Sequence, residues 1–295
     1  LNTPSATPPG APGWAGPLMM AAGAVAIGFA PIGLRLSEFE PQATAFWRFA
    51  FALPFIAGII WSQKERIGRP SGLALLAGLF FGLDMTFWHA ALVMTSVANA
   101  TFLVNLGNAA VGLIAWAVLG ERPARIWFLA LGLALLGALL LSRGALEAGV
   151  AALGGDLLAL LAAVMVAFYL FFAKLARRRM AAMQVLFWST ATTLLVSGMA
   201  AMVKAEPLLP PDPSWFIWPF ALAIFAHVLG QGLIIAGVGR TPAALAGLLL
   251  LIQPVAAALA AWPLFGENLS VIQLAGSGLV LAGVWLASRS PRPPG

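Results

Sequence analysis

Nine of the ten acidic residues lie near the ends of apolar runs or between them, and the tenth, Asp84, stands in the middle of one. A charge at a bilayer centre costs ~2.5–3.5 kcal/mol on insertion scales, so such a carboxylate faces a cavity or a partner. Three uses are open to it: an ionic contact for an amine, a proton-coupling site, or a structural pair with a basic or amide side chain. Helical steps of three and four bring Phe81, Asp84, Trp88 and Ala91 to one face. An acid flanked by aromatic rings suits an amine carried on an apolar or aromatic body.

Other polar residues share this apolar background. Thr101, Asn105 and Asn108 follow at i, i+4 and i+7, a stripe that must face the bundle interior because an amide in lipid is unsatisfied. It touches either a substrate or a neighbouring helix, whereas Asn99 points to the other side. Tyr169, the only tyrosine, is mid-run near Met165 and Phe172 and needs a hydrogen-bond partner. His227 and Gln231 are four apart, hence expected on one helix face. Polar contacts that only glue helices together, worth ~1 kcal/mol each, are the alternative for this pair. His89 lies nearer a helix end. Gln253-Pro254 interrupts a later run, where the missing donor of proline would expose a carbonyl or supply a hinge.

The elements that carry these residues are membrane helices. Of 295 residues, 61% are apolar and 9% charged, against about 45–50% and about 25% in soluble domains. Apolar runs cover 14–34, 42–62, 71–94, 96–119, 126–142, 154–175, 184–203, 214–238, 243–265 and 270–288. Each is near the ~20 residues that span hydrocarbon, and their continuity excludes barrel strands. The uncharged stretch from Leu1 to Gly13 reads as a disordered tail, and without a positive n-region the first run is expected to be retained. The net charge of +6 follows from basic loops and carries no nucleic-acid stripe. Twelve basic residues, among them Arg66, Arg122, Arg178 and Arg240, fall on one side. Arg35, Arg143 and Lys204 fall on the other, and Arg48 lies inside the second run. That asymmetry places both termini in the cytoplasm. Trp14, Trp61, Trp127, Trp215, Trp218 and Trp285 lie near run ends as interface anchors, and Lys174 is placed to snorkel. Gly78 and Gly82 form a small-xxx-small pair for close helix contact.

The chain repeats itself. Ala115-Trp116-Ala117-Val118-Leu119-Gly120-Glu121 reads like Ala261-Trp262-Pro263-Leu264-Phe265-Gly266-Glu267. The same shift pairs Gly132 with Gly278, Gly137 with Gly283, Ser142 with Ser288 and Arg143 with Arg289. It also sets His227 opposite Phe81 and Gln231 opposite Met85, while Phe46-Trp47 matches Phe187-Trp188 at a slightly shorter shift. Two five-helix halves, 14–145 and 146–290, would cross the membrane in opposite senses, with tails at 1–13 and 291–295. Inverted repeats of this kind enclose a midplane site between halves that rock.

Ten runs in two halves, Leu119-Gly120-Glu121-Arg122-Pro123, Phe265-Gly266-Glu267 and the Arg48-Phe49 pair together resemble the EamA family of the drug/metabolite transporter superfamily. Within it the sequence is most similar to YddG-type exporters of aromatic amino acids, although Gly266-Glu267-Asn268-Leu269 lacks the Arg-Pro of the first half. The resemblance implies an all-α integral membrane fold, ten transmembrane helices around a central cavity, and export of amino acids, other metabolites or drugs. On that basis Asp84 would engage an amine, and Trp88 and Tyr169 the side chain. Thr101, Asn105, His227 and Gln231 would take the remaining polar groups. The expected partners are a small-molecule substrate and the bilayer of an inner membrane, with no nucleic acid, no cofactor and no metal, and a monomer suffices. No G-x-x-x-x-G-K-[ST] occurs, so a gradient must drive transport. Rival readings are an exporter of cationic drugs or other metabolites and, more remotely, an intramembrane hydrolase using Ser277. Glu121 and Glu267 suit capping or gating contacts.

Overall fold

The computed structural model describes residues 13–95, 97–141, 153–265 and 270–289. Residues 1–12 and 291–295 of the expected tails, the side chain of Asn99, and Ser142, Arg143, Gly266, Glu267, Asn268 and Leu269 lie outside them. Among the described residues there are helices and no strands. In chain order the ten spans are Ala15–Arg35, Pro41–Ser62, Gly72–Leu92, Val97–Leu119, Arg125–Leu141, Leu153–Ala176, Ala182–Val203, Pro213–Val238, Ala243–Leu264 and Val271–Ser288. Nine are long and apolar enough to cross a membrane, and the fifth, at 17 residues, is slightly shorter. Their lipid-facing rows include Leu18, Phe55, Leu129, Leu157, Leu195 and Phe225, all exposed.

Three spans are irregular. The first breaks at Phe29, just before Pro31. The eighth begins as a 3₁₀ turn, Pro213–Phe216, and runs as a π-helix over Leu222–Gln231 before returning to α at Gly232. The ninth is interrupted at Leu251. There Pro254 has no N–H for the carbonyl of Leu250 four residues back, so the ladder cannot pass.

The inverted repeat is written into the helix pairings. The third span packs on the sixth and seventh, the fourth on the sixth and ninth, and the first on the eighth and ninth. The second packs on the seventh and eighth, and the fifth on the tenth. Exchanging the halves (first for sixth, second for seventh, and so on) reproduces these pairings. The same holds residue by residue where the fifth and tenth spans cross. A Cβ on Gly137 would lie 2.5 Å from the Gly276 carbonyl oxygen, and one on Gly283 would lie 2.6 Å from that of Ala130. The repeat carries the first contact onto the second, as a pseudo-two-fold axis requires. Likewise, the second and seventh spans end identically. Lys64 and Ala205 adopt φ of 57° and 54°, and the next residues, Glu65 and Glu206, donate their N–H to the carbonyls of Ile60 and Ala201.

Trp127 and Lys174 depart from their sequence-based placement. Trp127 is 2% exposed rather than anchored at the interface, because its indole packs on the ninth span and donates to the Ala244 carbonyl at 2.8 Å. Lys174 does not snorkel. Its ammonium donates to the Thr241 carbonyl at 2.8 Å and lies 3.7 Å from Glu121.

Candidate functional site

Seven spans line a partly open cavity of about 130 Å³. The interrupted stretches reach it: Gly28, Ala30 and Pro31 at the first break, and Leu250, Gln253 and Pro254 at the ninth. Irregular backbone at membrane depth is tolerated where it lines a cavity. Apart from these, the wall is apolar, with a few convergent polar groups, the usual make-up of a small-molecule site.

Six of the seven residues singled out above line this one cavity: Asp84, Trp88, Thr101, Asn105, Tyr169 and Gln231. Asp84 is 2% exposed, and its Oδ1 has no hydrogen-bond partner. Trp88 also lines the cavity with an unpartnered indole N–H. Tyr169 stacks on Phe81 with ring centroids 4.7 Å apart, and its hydroxyl accepts from the Gln231 amide. Asn105 donates to the Thr101 carbonyl at 2.7 Å and accepts from Asn108 at 2.9 Å, so the polar stripe is held within its own helix.

His227 is placed elsewhere. It does not line the cavity; its Nε2 is 2.7 Å from the Thr190 hydroxyl, and its ring packs between Phe49 and Phe81. His227 stands about one helical turn from Gln231, where Thr190 of the seventh span and the rings of Phe49 and Phe81 hold it behind the wall, while Gln231 reaches the Tyr169 hydroxyl. The repeat partners Phe81 and His227 do face each other, 6.1 Å apart and nearly parallel.

Arg48 also lines the cavity, though only its depth in the second span set it apart in the sequence. It is 9% exposed, and its Nε lacks a hydrogen-bond partner. Its guanidinium borders a smaller pocket shared with Thr44, Trp88 and His89.

At the end carrying most of the basic residues, the Gly-Glu signature acquires a structural role. Gly120 takes φ +70°, in the left-handed region that glycine enters without penalty, and so ends the fourth span. Glu121 is thereby turned toward the second half. Its carboxylate lies 3.7 Å from both Lys174 and Arg178 and accepts from the Ala243 N–H at 3.3 Å, at the positive end of the ninth span. One carboxylate thus ties the fourth, sixth and ninth spans together. At the opposite end, Glu206 accepts the Ala43 N–H at 2.8 Å at the start of the second span, and partial burial raises its carboxyl above the usual range. Glu121→Ala is expected to lower stability in detergent by roughly 1 kcal/mol, between an exposed pair and a charged hydrogen bond. Glu121→Gln, which keeps an acceptor for Ala243, should lose less. Thermal unfolding of the two variants measures this, and equal loss would mean that the backbone contact is idle.

Ser277, the hydrolase candidate, donates to the Gln273 carbonyl of its own helix at 2.9 Å. The two histidines sit instead against Trp88 and Thr190.

Residues 14–143 and 153–289 each match the model of the EamA-like transporter family. Among curated proteins, an uncharacterized transporter of Archaeoglobus fulgidus is 28% identical over 267 residues, covering 90% of this chain and 93% of that one. A probable amino-acid metabolite efflux pump of Salmonella typhimurium is 28% identical over 244 residues, covering 75% and 78%. A solved crystal structure superposes with a TM-score of 0.81 over 92% of this chain and 96% of its own, at 17% identity, a likeness of fold.

Proposed function

This chain belongs to the EamA-like transporter family, and from that premise we propose that it exports amino acids, aromatic and apolar ones above all, by alternating access. The observation that carries the reading is Asp84, a buried carboxylate without a hydrogen bond, on the wall of a central cavity beside Phe81, Trp88 and Tyr169. The acid would hold the substrate's amine and the rings its apolar body. Gln231, Asn105 and Thr101 would complete the polar contacts, and His227 would support the wall from behind. The name of the Salmonella relative points to the same substrate class. The basic asymmetry supports an inner-membrane protein with both termini cytoplasmic. Both halves reside in one chain as residues 14–145 and 146–290, which makes a monomer sufficient. Transport would run down a gradient of substrate or ion.

The test is counterflow. Liposomes containing the protein and preloaded with unlabelled phenylalanine should accumulate labelled phenylalanine transiently, with no imposed ion gradient. Folded protein that gives counterflow with no amino acid would overturn the assignment in favour of cationic drugs or other metabolites.

A further inference from the structure

Two opposite charges stand on the wall of the central cavity without meeting. Asp84 comes from the third span and Arg48 from the second, and both are at least nine-tenths buried. Neither forms a hydrogen bond or an ion pair, with the other or with any described residue. The Asp84 Oδ1 and Arg48 Nε are both buried and unsatisfied, and the guanidinium carbon lies 5.5 Å from the centroid of the Phe49 ring. Uncompensated buried charges of both signs are expensive, and two such groups facing one space are best satisfied by a molecule that carries both signs itself.

We propose that Arg48 is the carboxylate-binding residue of this site, so that with Asp84 it selects the zwitterionic head of an α-amino acid. The inference deepens the amino-acid reading above and rests on it. A guanidinium presents parallel N–H donors that match the two oxygens of a carboxylate, which a lysine could not do. Asp84 then takes the ammonium, and Phe81, Trp88 and Tyr169 receive the side chain. The pairing also explains which molecules are refused. A cationic drug satisfies Asp84 but sets a second positive charge near Arg48; a simple carboxylic acid does the converse.

Phenylalanine and its close analogues test this directly. In proteoliposomes, unlabelled phenylalanine should compete with labelled phenylalanine at least about tenfold better than phenylalaninamide, phenethylamine or 3-phenylpropionate, each lacking one charge. Arg48→Gln should weaken phenylalanine by at least about tenfold while leaving phenylalaninamide unchanged or improved, so that the gap closes. Arg48→Lys should fall between. Wild-type protein that takes the amide as readily as the amino acid overturns the proposal. So does an Arg48→Gln variant that keeps the wild-type ratio. If Arg48→Gln does not fold, the wild-type series and the ratio in Arg48→Lys decide. Absence of counterflow with every amino acid would bring down the amino-acid reading itself and this inference with it. Amino-acid transport without discrimination against the amide brings down only the inference.

Discussion

Asp84→Asn is expected to reduce amino-acid counterflow by roughly 10–100-fold while leaving the protein folded, and even slightly more stable. The size follows from removing a charged hydrogen bond worth ~1.5–3 kcal/mol, each 1.4 kcal/mol being a factor of ten. The sign of the stability change follows from the structure. The Asp84 carboxylate is buried with an unsatisfied oxygen, so no hydrogen bond within the protein is lost when it becomes an amide. Asparagine removes a charge from a low-dielectric site at nearly constant shape. Thermal unfolding in detergent and counterflow on the same preparation read the two effects separately. Unchanged transport would make Asp84 idle; a large loss of stability would make it a structural partner.

The other large effect concerns packing. A Cβ at Gly107 would sit 2.0 Å from the Ala163 carbonyl oxygen, and one at Gly78 would sit 2.2 Å from that of Ser189. Both obstacles are backbone, so the fourth span must move off the sixth, or the third off the seventh. Gly107→Ala and Gly78→Ala should each destabilise by ~1–3 kcal/mol, and leucine at either site by more. Gly107→Ala should also impair transport, because pushing the fourth span off the sixth shifts Asn105 and Asn108, which line the cavity. Gly132 and Gly278, a repeat-related pair, have nothing within 4 Å of where a Cβ would stand and serve as controls. Alanine there should be neutral, or stabilising by up to ~1 kcal/mol, through helix propensity. Size-exclusion profiles and unfolding temperatures of the four variants check the contrast. Gly107→Ala behaving like Gly132→Ala would show that the fourth and sixth spans have slack.

Much of this arrangement is legible in the sequence because the background is so apolar. Against it, Asp84, Tyr169 and Gln231 stand out, and a bilayer leaves such groups little choice but to turn inward. The spans are legible for the same reason. What periodicity misses is any change of helical winding. Nothing in Leu222–Gln231 announces a π-helix, and spacing alone does not show that Thr190, Phe49 and Phe81 screen His227 from the cavity that Gln231 reaches. Pro254 marks the ninth break, but Phe29 gives no comparable sign beyond the nearby Pro31. Trp127 illustrates a second limit. Position near a run end suggests the interface, whereas only the neighbouring helix, with the Ala244 carbonyl within reach, determines that the ring is buried. Arg48 is visible as a deep charge, but its place on the same wall as Asp84 depends on how the second and third spans lean together.

The exchange-symmetric pairing of spans means that neither half keeps a core to itself. The main apolar cluster draws Met20, Phe49, Phe81 and Val111 from one half and Tyr169, Leu170, Ile234 and Leu249 from the other. The smallest autonomous folding unit is therefore the pair. Expressed as separate chains, the halves would carry sticky surfaces complementary to each other.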